Sequence, residues 1–315
     1  MKAALVTGST GFIGSHLTRA LLRSGWRIQA ALRDTASAQY LPEGASPVVV
    51  GDLSKNPDWS GIAANLDAVF HLAGKAHDTA AKDPASEYTK VNLVATQSLL
   101  EACRARGARR FIYFSSIKAA DRATPYGQSK HEAEIAVLEA TRQRHISGVS
   151  LRLSLVYGPG QKGNLLRLVR QIDRGFFPAL RWVKNRRSMV HIDNVVLAAL
   201  LAADSPKAAG QTYIVADAQP YSTATLCRLV REGLGKAEGG WDIPRPMLKS
   251  LAILGDFLGG LSRRKAPFDS EAFEKLCGDA FFNPSKIISE LGYRPVADIQ
   301  SAIPGIIECY RKGGV

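Results

Sequence analysis

The sequence predicts an α/β fold, a doubly wound parallel sheet with helices on both faces, and three observations carry that prediction. The first is the apolar run Ala3 to Val6, which turns through Gly8, Gly11 and Gly14 into a helical pattern with Ile13, Leu17, Leu21 and Leu22 on one face. The second is a series of short apolar runs at the spacing that alternating strands and helices require. The third is a serine, Ser116, at the end of one such run, followed by Tyr126 and Lys130 at helical spacing.

The chain has 315 residues, of which 46% are hydrophobic and 22% charged, as in folded rather than disordered proteins. That length accommodates one large α/β domain with a smaller lobe. Cys103, Cys227, Cys277 and Cys309 form no Cys-x-x-Cys or Cys/His cluster, so reduced thiols, a cytoplasmic setting and no metal are expected. The first apolar stretch stops at Thr7, too short for a signal-peptide core. No run approaches the roughly 18 apolar residues of a membrane span. The net charge of +13 favours anionic ligands. No zinc-finger, RNA-recognition or helix-turn-helix pattern accompanies the arginines, which read as dispersed, so nucleic acid is not expected as a partner.

The opening segment reads as strand, glycine loop and helix. Gly8 permits the tight turn, Gly11 lets backbone approach a pyrophosphate, and Gly14 seats the helix on the sheet. With Thr10, Phe12 and Ile13 they make a dinucleotide site in which amides at the helix start face the phosphates. The second strand, Ile28 to Leu32, places Leu32 at its tip, followed by Arg33 and Asp34. An acidic tip selects NAD, whereas arginine accommodates the 2′-phosphate of NADP. Arg33 therefore favours NADP(H), and NAD(H) is the alternative if Asp34 takes the ribose. Strands follow over Pro47 to Gly51, Ala68 to Leu72 and Arg110 to Ser115. Asp52 and Leu53 stand where a carboxylate receives the adenine amino group, and Leu72, Ala73 and Gly74 leave room for a flat cofactor. Pro84 to Gly107 reads as one helix, with Asn92 either capping a neighbouring backbone group or holding a water near Lys130.

Tyr126 opens a helix that runs to about Arg144, and the four-residue spacing puts Lys130 on its face. An ammonium beside the phenol favours the ionised phenol. Ser116 sits at a strand's carboxyl end, where open α/β sheets place ligands. Ser116, Tyr126 and Lys130 are thus candidate catalytic residues for reversible hydride transfer at a carbinol, with Tyr126 moving the proton. Further on come a strand over Val149 to Leu153, an amphipathic helix over Leu165 to Ile172 and a late strand, Thr212 to Ala216, that rejoins the sheet. Met247 to Leu261 spaces five leucines helically ahead of Arg263-Arg264-Lys265. This segment either packs the smaller lobe or dips into an anionic bilayer as a weak peripheral contact.

Taken together, Thr7-Gly8-x-x-Gly11-Phe12-Ile13-Gly14, Asp52-Leu53, His71-Leu72-Ala73-Gly74, Asn92, Ser115-Ser116, Tyr126-x-x-x-Lys130 and Val156-Tyr157-Gly158-Pro159-Gly160 resemble the extended short-chain dehydrogenase/reductase family, in its epimerase/dehydratase branch. The resemblance implies a Rossmann-type NAD(P)-binding domain over residues 1–160, rejoined by 186–217. It also implies a smaller α/β sugar-nucleotide-binding lobe from 161–185 and 218–315. Gln161 to Leu168, with Asn185 to Ser188, looks closest to bacterial O-antigen enzymes that are similar to UDP-glucose 4-epimerase. Some of those reduce UDP-4-keto-6-deoxy-N-acetylhexosamines.

With Arg33, the resemblance implies an NADP(H)-dependent 4-ketoreductase acting on such a UDP-sugar. A UDP-hexose or UDP-N-acetylhexosamine 4-epimerase holding NAD is the alternative, dehydratase chemistry ranks third because Ile117 and Lys118 stand where it wants an acidic residue, and a catalytically inactive redox sensor is a reading of a different class. By the same resemblance Lys118, Asn164, Leu165 and Arg187 contact the substrate, Lys130 and Asn92 serve the cofactor side, and the helices after Asn92 and Tyr126 pair in a homodimer. Two departures stand out. Only ten positions separate Ser116 from Tyr126, and Arg152-Leu153 replaces the family's Arg-Pro, which leaves the path of the next loop open.

Overall fold

The computed structural model describes residues 1–76, 83–161, 163–236, 240–262, 266 and 268–313. Lys162 and the basic run Arg263-Arg264-Lys265 lie outside the described residues. The chain divides into two compact units, residues 1–154, 192–216 and 283–296 in the first and 155–191, 217–282 and 297–315 in the second.

The first unit is built on seven parallel strands: β1 (Ala3–Thr7), β2 (Arg27–Leu32), β3 (Ala45–Val49), β4 (Ala68–His71), β5 (Arg110–Ser116), β6 (Ser147–Leu153) and β9 (Thr212–Val215). They lie in the order β3-β2-β1-β4-β5-β6-β9. Ala4, Leu5 and Val6 are fully buried, as expected of a parallel strand covered on both faces. The order reverses between β1 and β4, so the crevice at their carboxyl ends is where such a sheet accepts a ligand. Strand β3 begins two residues before the expected Pro47. It forms the sheet edge, where a proline lacking an N–H is tolerated.

Helix α1 (Phe12–Arg23) buries Leu17 and Leu21. The expected single helix from Pro84 is instead three pieces: α2 (Pro84–Tyr88), one π-helical turn (Thr89–Val94) and α3 (Ala95–Ala105). Helix α4 (Pro125–Arg142) buries Ala133 and Val137 against the sheet, and α6 (Ile192–Asp204) packs beside α1. The unit also takes in α10 (Ser285–Leu291), which the sequence assigns to the smaller lobe. The reason is contact with β9: Tyr213 donates to Glu290 at 2.7 Å, and Tyr293 donates to the Ala216 carbonyl at 3.1 Å.

In the second unit β7 (Leu155–Tyr157) pairs in parallel with β8 (Met189–His191), so residues 155–160 and 186–191 belong here rather than to the first domain. The Arg152-Leu153 variation does not lengthen the connection. Ser154 binds the Val215 carbonyl through both its amide and its hydroxyl, and β7 starts at the next residue. Buried Asp217 ties this unit together, accepting from Tyr157 at 2.6 Å, Tyr221 at 3.0 Å and the His191 amide at 2.9 Å. Helices α5 (Asn164–Asp173), α7 (Thr223–Gly233) and α11 (Ile299–Arg311) enclose a core around Val169, Val230 and Ile303.

A smaller core joins Leu180 and Val183 to α8 (Arg245–Ser262) and α9 (Ser270–Cys277). Among the described side chains of the expected α8 leucine stripe only Leu248 is buried, alongside Ala252, whereas Leu251, Leu254 and Leu258 are exposed. The buried face runs through Leu248, Ala252 and Gly255, where an added Cβ would collide with the Phe268 carbonyl. The basic residues are not dispersed as the sequence suggested: residues 155–191 hold eight lysines and arginines against one acidic residue, Asp173.

Candidate active site

Strand β1 ends at Thr7, and Gly8 turns the chain with φ +70, a conformation that L side chains resist. A Cβ there would stand 2.9 Å from the Ala73 amide, and one at Gly14 would collide with the Gly8 carbonyl. Gly11 is the N-cap of α1, with no side-chain cap and no acidic residue in the first turn. The amides of Phe12, Ile13 and Gly14 therefore lack helical acceptors, and the positive helix end faces outward, a ready anion site.

Gly8, Thr10, Gly11, Arg33, Asp52, Leu53, Leu72, Ala73 and Gly74 line one cleft of about 650 Å³, with Asp34, Ser37, Ser54 and Lys75. Phe12, Ile13 and Gly14 form the helical turn behind it. Asp34 is engaged as an N-cap, accepting from the Ser37 amide and hydroxyl at 2.8 Å each. Those bonds hold its carboxyl below the usual range. Asp52 takes the Ser54 amide at 2.9 Å and hydroxyl at 2.8 Å through one oxygen, with the same effect. A tight glycine turn, an uncapped helix start and small residues on the opposite wall fit a dinucleotide, with the diphosphate at the start of α1.

Gly74 links this cleft to the chemistry. A Cβ there would lie 2.9 Å from Asn92 Oδ1 and 3.8 Å from Lys130 Nζ. Asn92, 1% exposed in the π turn, accepts from the Lys75 amide at 2.8 Å. It donates to the Lys75 carbonyl and to Ser129 Oγ, both at 3.0 Å. It is the backbone cap of the two roles read from the sequence, and it also ties that segment to α4.

Behind it lies a network that sequence reasoning missed. Thr96 Oγ1 donates to the Asn92 carbonyl at 2.6 Å, so it accepts from His71 Nε2 at 2.9 Å. His71 Nδ1 is then the bare nitrogen and accepts from Thr7 Oγ1 at 2.7 Å, while Thr7 Oγ1 accepts from the Ala73 amide at 3.1 Å. Burial, helped by the Lys130 charge, pushes the His71 pKa down to about 3. The ring is a neutral, fully bonded bridge between the glycine-turn strand and the Asn92 segment.

The catalytic candidates converge beside it. Ser116 ends β5, with its hydroxyl accepting from the Lys118 amide at 3.2 Å. Tyr126 stands in the first turn of α4, which Thr124 caps by accepting from the Gly127 amide at 3.1 Å. The short connection folds into a 3-10 turn (Ile117–Ala120) and packs so closely that a Cβ at Gly127 would strike the Asp121 and Lys118 carbonyls.

Burial pushes the Tyr126 phenol above its ordinary pKa, a hydrogen bond with Ser116 pulls it back, and Tyr88, whose ring lies 5.7 Å away, adds to the rise. The expectation of a phenol ionised by Lys130 is therefore corrected. Lys130 donates instead to the Phe114 carbonyl at 2.7 Å and lies 4.3 Å above the Tyr113 ring. Burial lowers its own pKa to about 7, with the charge of Glu134 opposing the fall. Glu134, 2% exposed, is one turn along α4. It is gripped by Arg152 through Nε at 2.9 Å and Nη2 at 2.6 Å, and it accepts from Ser150 at 3.2 Å.

Asn164, Leu165 and Arg187 belong to the second unit. Asn164 is the exposed first residue of α5, and the Leu165 side chain is buried in that unit's core. Arg187, half-buried, donates Nη1 to the Lys275 carbonyl at 2.6 Å. Lys118 is exposed on the short connection.

The fold and the cleft define an NAD(P)-dependent enzyme of the extended short-chain dehydrogenase/reductase type. The pattern of the NAD dependent epimerase/dehydratase family matches residues 4–216. A UDP-glucose 4-epimerase from Vibrio cholerae is 30% identical, with 95% of this chain and 92% of that protein covered. A 2-alkyl-3-oxoalkanoate reductase from Stenotrophomonas maltophilia is 26% identical, with 95% and 96% covered. A solved structure, UDP-glucuronic acid 4-epimerase from Bacillus cereus in complex with NAD, matches the fold with a TM-score of 0.76. It does so over 99% of this chain and 100% of that one, at 21% identity. The chain belongs to the NAD-dependent epimerase/dehydratase family.

Proposed function

We propose that the protein is an NADPH-dependent ketoreductase acting at C4 of a UDP-linked sugar, a UDP-4-keto-6-deoxy-N-acetylhexosamine. The observation that carries this reading is a half-buried phenol, Tyr126, at the start of α4, hydrogen-bonded with Ser116 and one helical turn from Lys130. A carbonyl reduction needs a group that arrives carrying its proton, and a phenol protonated at neutral pH supplies one. When bound, the reduced nicotinamide supplies hydride to the carbonyl carbon. Tyr126 gives its proton to the carbonyl oxygen, Ser116 donates a hydrogen bond to that same oxygen, and Lys130 holds the nicotinamide ribose.

Arg33, just beyond the tip of β2, with Asp34 engaged by Ser37, supports NADPH over NADH. Lys118, Asn164, Leu165 and Arg187 are the proposed substrate contacts. Arg187 offers the uridine diphosphate the N–H groups that Lys275 does not hold. Homodimer formation through α3 and α4 belongs to the same reading, supported by the exposed Val94 and Ile135, and sedimentation gives its mass.

A second reading is a UDP-sugar 4-epimerase that retains NAD. It is favoured by the 30% identity to the Vibrio cholerae 4-epimerase over nearly the whole chain. Titration with NADPH and NADH, followed by addition of a UDP-4-keto sugar, separates the readings. Net NADPH loss with formation of the 4-hydroxy sugar supports the reductase, interconversion of 4-epimers without net loss supports the epimerase, and binding without either supports a sensor. Arg33→Ala weakening NADPH more than NADH tests the cofactor preference.

A further inference from the structure

We infer that His71 is a positioning residue for the proton donor, tying the glycine turn at the dinucleotide cleft to Tyr126 and Lys130 by two separate routes. That role rests on Tyr126 being the group that gives up a proton, the reading proposed above.

The first route is a chain of hydrogen bonds with a single direction. The Ala73 amide donates to Thr7 Oγ1, Thr7 to His71 Nδ1, His71 Nε2 to Thr96 Oγ1, and Thr96 to the Asn92 carbonyl. The Asn92 side chain carries it on, donating to Ser129 Oγ at 3.0 Å, and Ser129 donates to the Tyr126 carbonyl at 2.9 Å. Thr7, His71, Thr96, Asn92 and Ser129 are each no more than 1% exposed. Bonds aligned head to tail in so dry an interior strengthen one another. The chain begins on Thr7 and Ala73, which line the cleft, and ends on the backbone of the proton donor.

The second route runs through rings. The His71 ring stacks on Tyr113 with centroids 5.9 Å apart, and the Lys130 ammonium lies 4.3 Å from the centre of that same Tyr113 ring. The edge of the imidazole thus leads to Tyr126 and its face to Lys130. A side chain here must accept at one edge, donate at the other and be flat between, which neutral imidazole does. A protonated ring would donate from both nitrogens and take the acceptor from the Thr7 hydroxyl. Burial, which pushes the His71 pKa down to about 3, keeps the ring neutral near pH 7.

Thr96→Val swaps the hydroxyl for a methyl of similar size and cuts the first route between His71 and Asn92, while the glycine turn keeps its bonds. Thr96→Ser restores the hydroxyl. With NADPH and a UDP-4-keto-6-deoxy-N-acetylhexosamine, Thr96→Val is expected to lower kcat by about tenfold or more. NADPH affinity and KM are expected to stay near the parent's, and Thr96→Ser to recover most of kcat. Urea unfolding shows that each variant is folded in the assay. A network that only satisfied buried groups would lower the urea midpoint and leave kcat in place. Unchanged kcat in folded Thr96→Val, or an equal loss in Thr96→Ser, would therefore overturn the positioning role. Tyr126→Phe is run alongside. Activity surviving there removes Tyr126 as the proton donor, whereas loss there with full kcat in Thr96→Val removes the role of His71 alone. Nitrogen NMR of histidine-labelled protein, assigned against His71→Leu, needs no substrate. The expected result is a proton on Nε2 and a bare Nδ1, with no titration between about pH 5 and 8. A proton on Nδ1, or a ring that charges in that range, would break the chain and the inference with it.

Discussion

Tyr126 and Lys130 are the proposed acid–base pair, and burial is the largest influence on the proton affinity of each. Removing the phenol hydroxyl alone, in Tyr126→Phe, is expected to lower turnover by about 10²–10⁴-fold with NADPH affinity nearly unchanged. Single-turnover kinetics and a binding titration check this. Lys130, with a pKa of about 7, is charged below that value and neutral above it. If its charge holds the cofactor ribose, kcat/KM falls as pH rises through about 7. Glu134 raises the Lys130 pKa, so in Glu134→Gln that falling limb moves to lower pH. A limb that stays in place or moves up in a pH-rate profile would break the assignment. Arg152, whose guanidinium grips Glu134, positions that carboxylate without touching the reacting groups.

The first βα turn lines the cleft, and Asn92 in the π turn binds the backbone of Lys75, which lines it too. Gly14→Ala puts a Cβ against the Gly8 carbonyl. It is expected to cost about 1–3 kcal/mol by overpacking and to abolish tight dinucleotide binding. Urea unfolding and a fluorescence titration with NADPH measure the two effects. The β1 turn was legible in the sequence because its causes are local: four apolar residues, then glycines at fixed offsets, then a helical stripe. The placement of Ser116 at a strand end and of Tyr126 and Lys130 near the start of one helix was legible for the same reason.

The π turn was not legible. Its geometry answers to Asn92 binding Lys75 and Ser129, 17 and 37 positions away, and no local pattern encodes that. Neither did the sequence disclose the His71 bridge, whose partner Thr7 lies 64 positions off. The ionised phenol was misjudged because helical spacing brings Lys130 to the right face but does not say that its ammonium turns to the Phe114 carbonyl. On α8 the leucine spacing gave the helix correctly but not which of its two apolar stripes meets the core.

At the scale of the whole molecule, buried titratable groups make stability depend on pH. His71 titrates near pH 3 when folded and near 6.5 when unfolded. Between those values the unfolded chain binds the extra proton, so stability is complete above about 6.5 and falls as pH drops. Lys130 acts with the same sign in a higher window. Its folded pKa of about 7 lies below the ordinary 10.5, so stability rises as pH climbs from 7 toward 10.5. Urea midpoints are expected to decline from pH 7 to pH 5, with His71→Leu showing a shallower decline from a lower starting point. An unchanged slope would mean that His71 takes up a proton in the fold.

The claim on which the functional account rests is that this family scaffold runs its chemistry as a net reduction of a sugar ketone. The most direct measurement is the loss of reduced-nicotinamide absorbance when the purified protein meets NADPH and a UDP-4-keto-6-deoxy-N-acetylhexosamine, with the sugar product identified in the same reaction. One NADPH is expected to be consumed for each 4-hydroxy sugar formed. Conversion of a UDP-hexose into its 4-epimer with no net change in nicotinamide would contradict it.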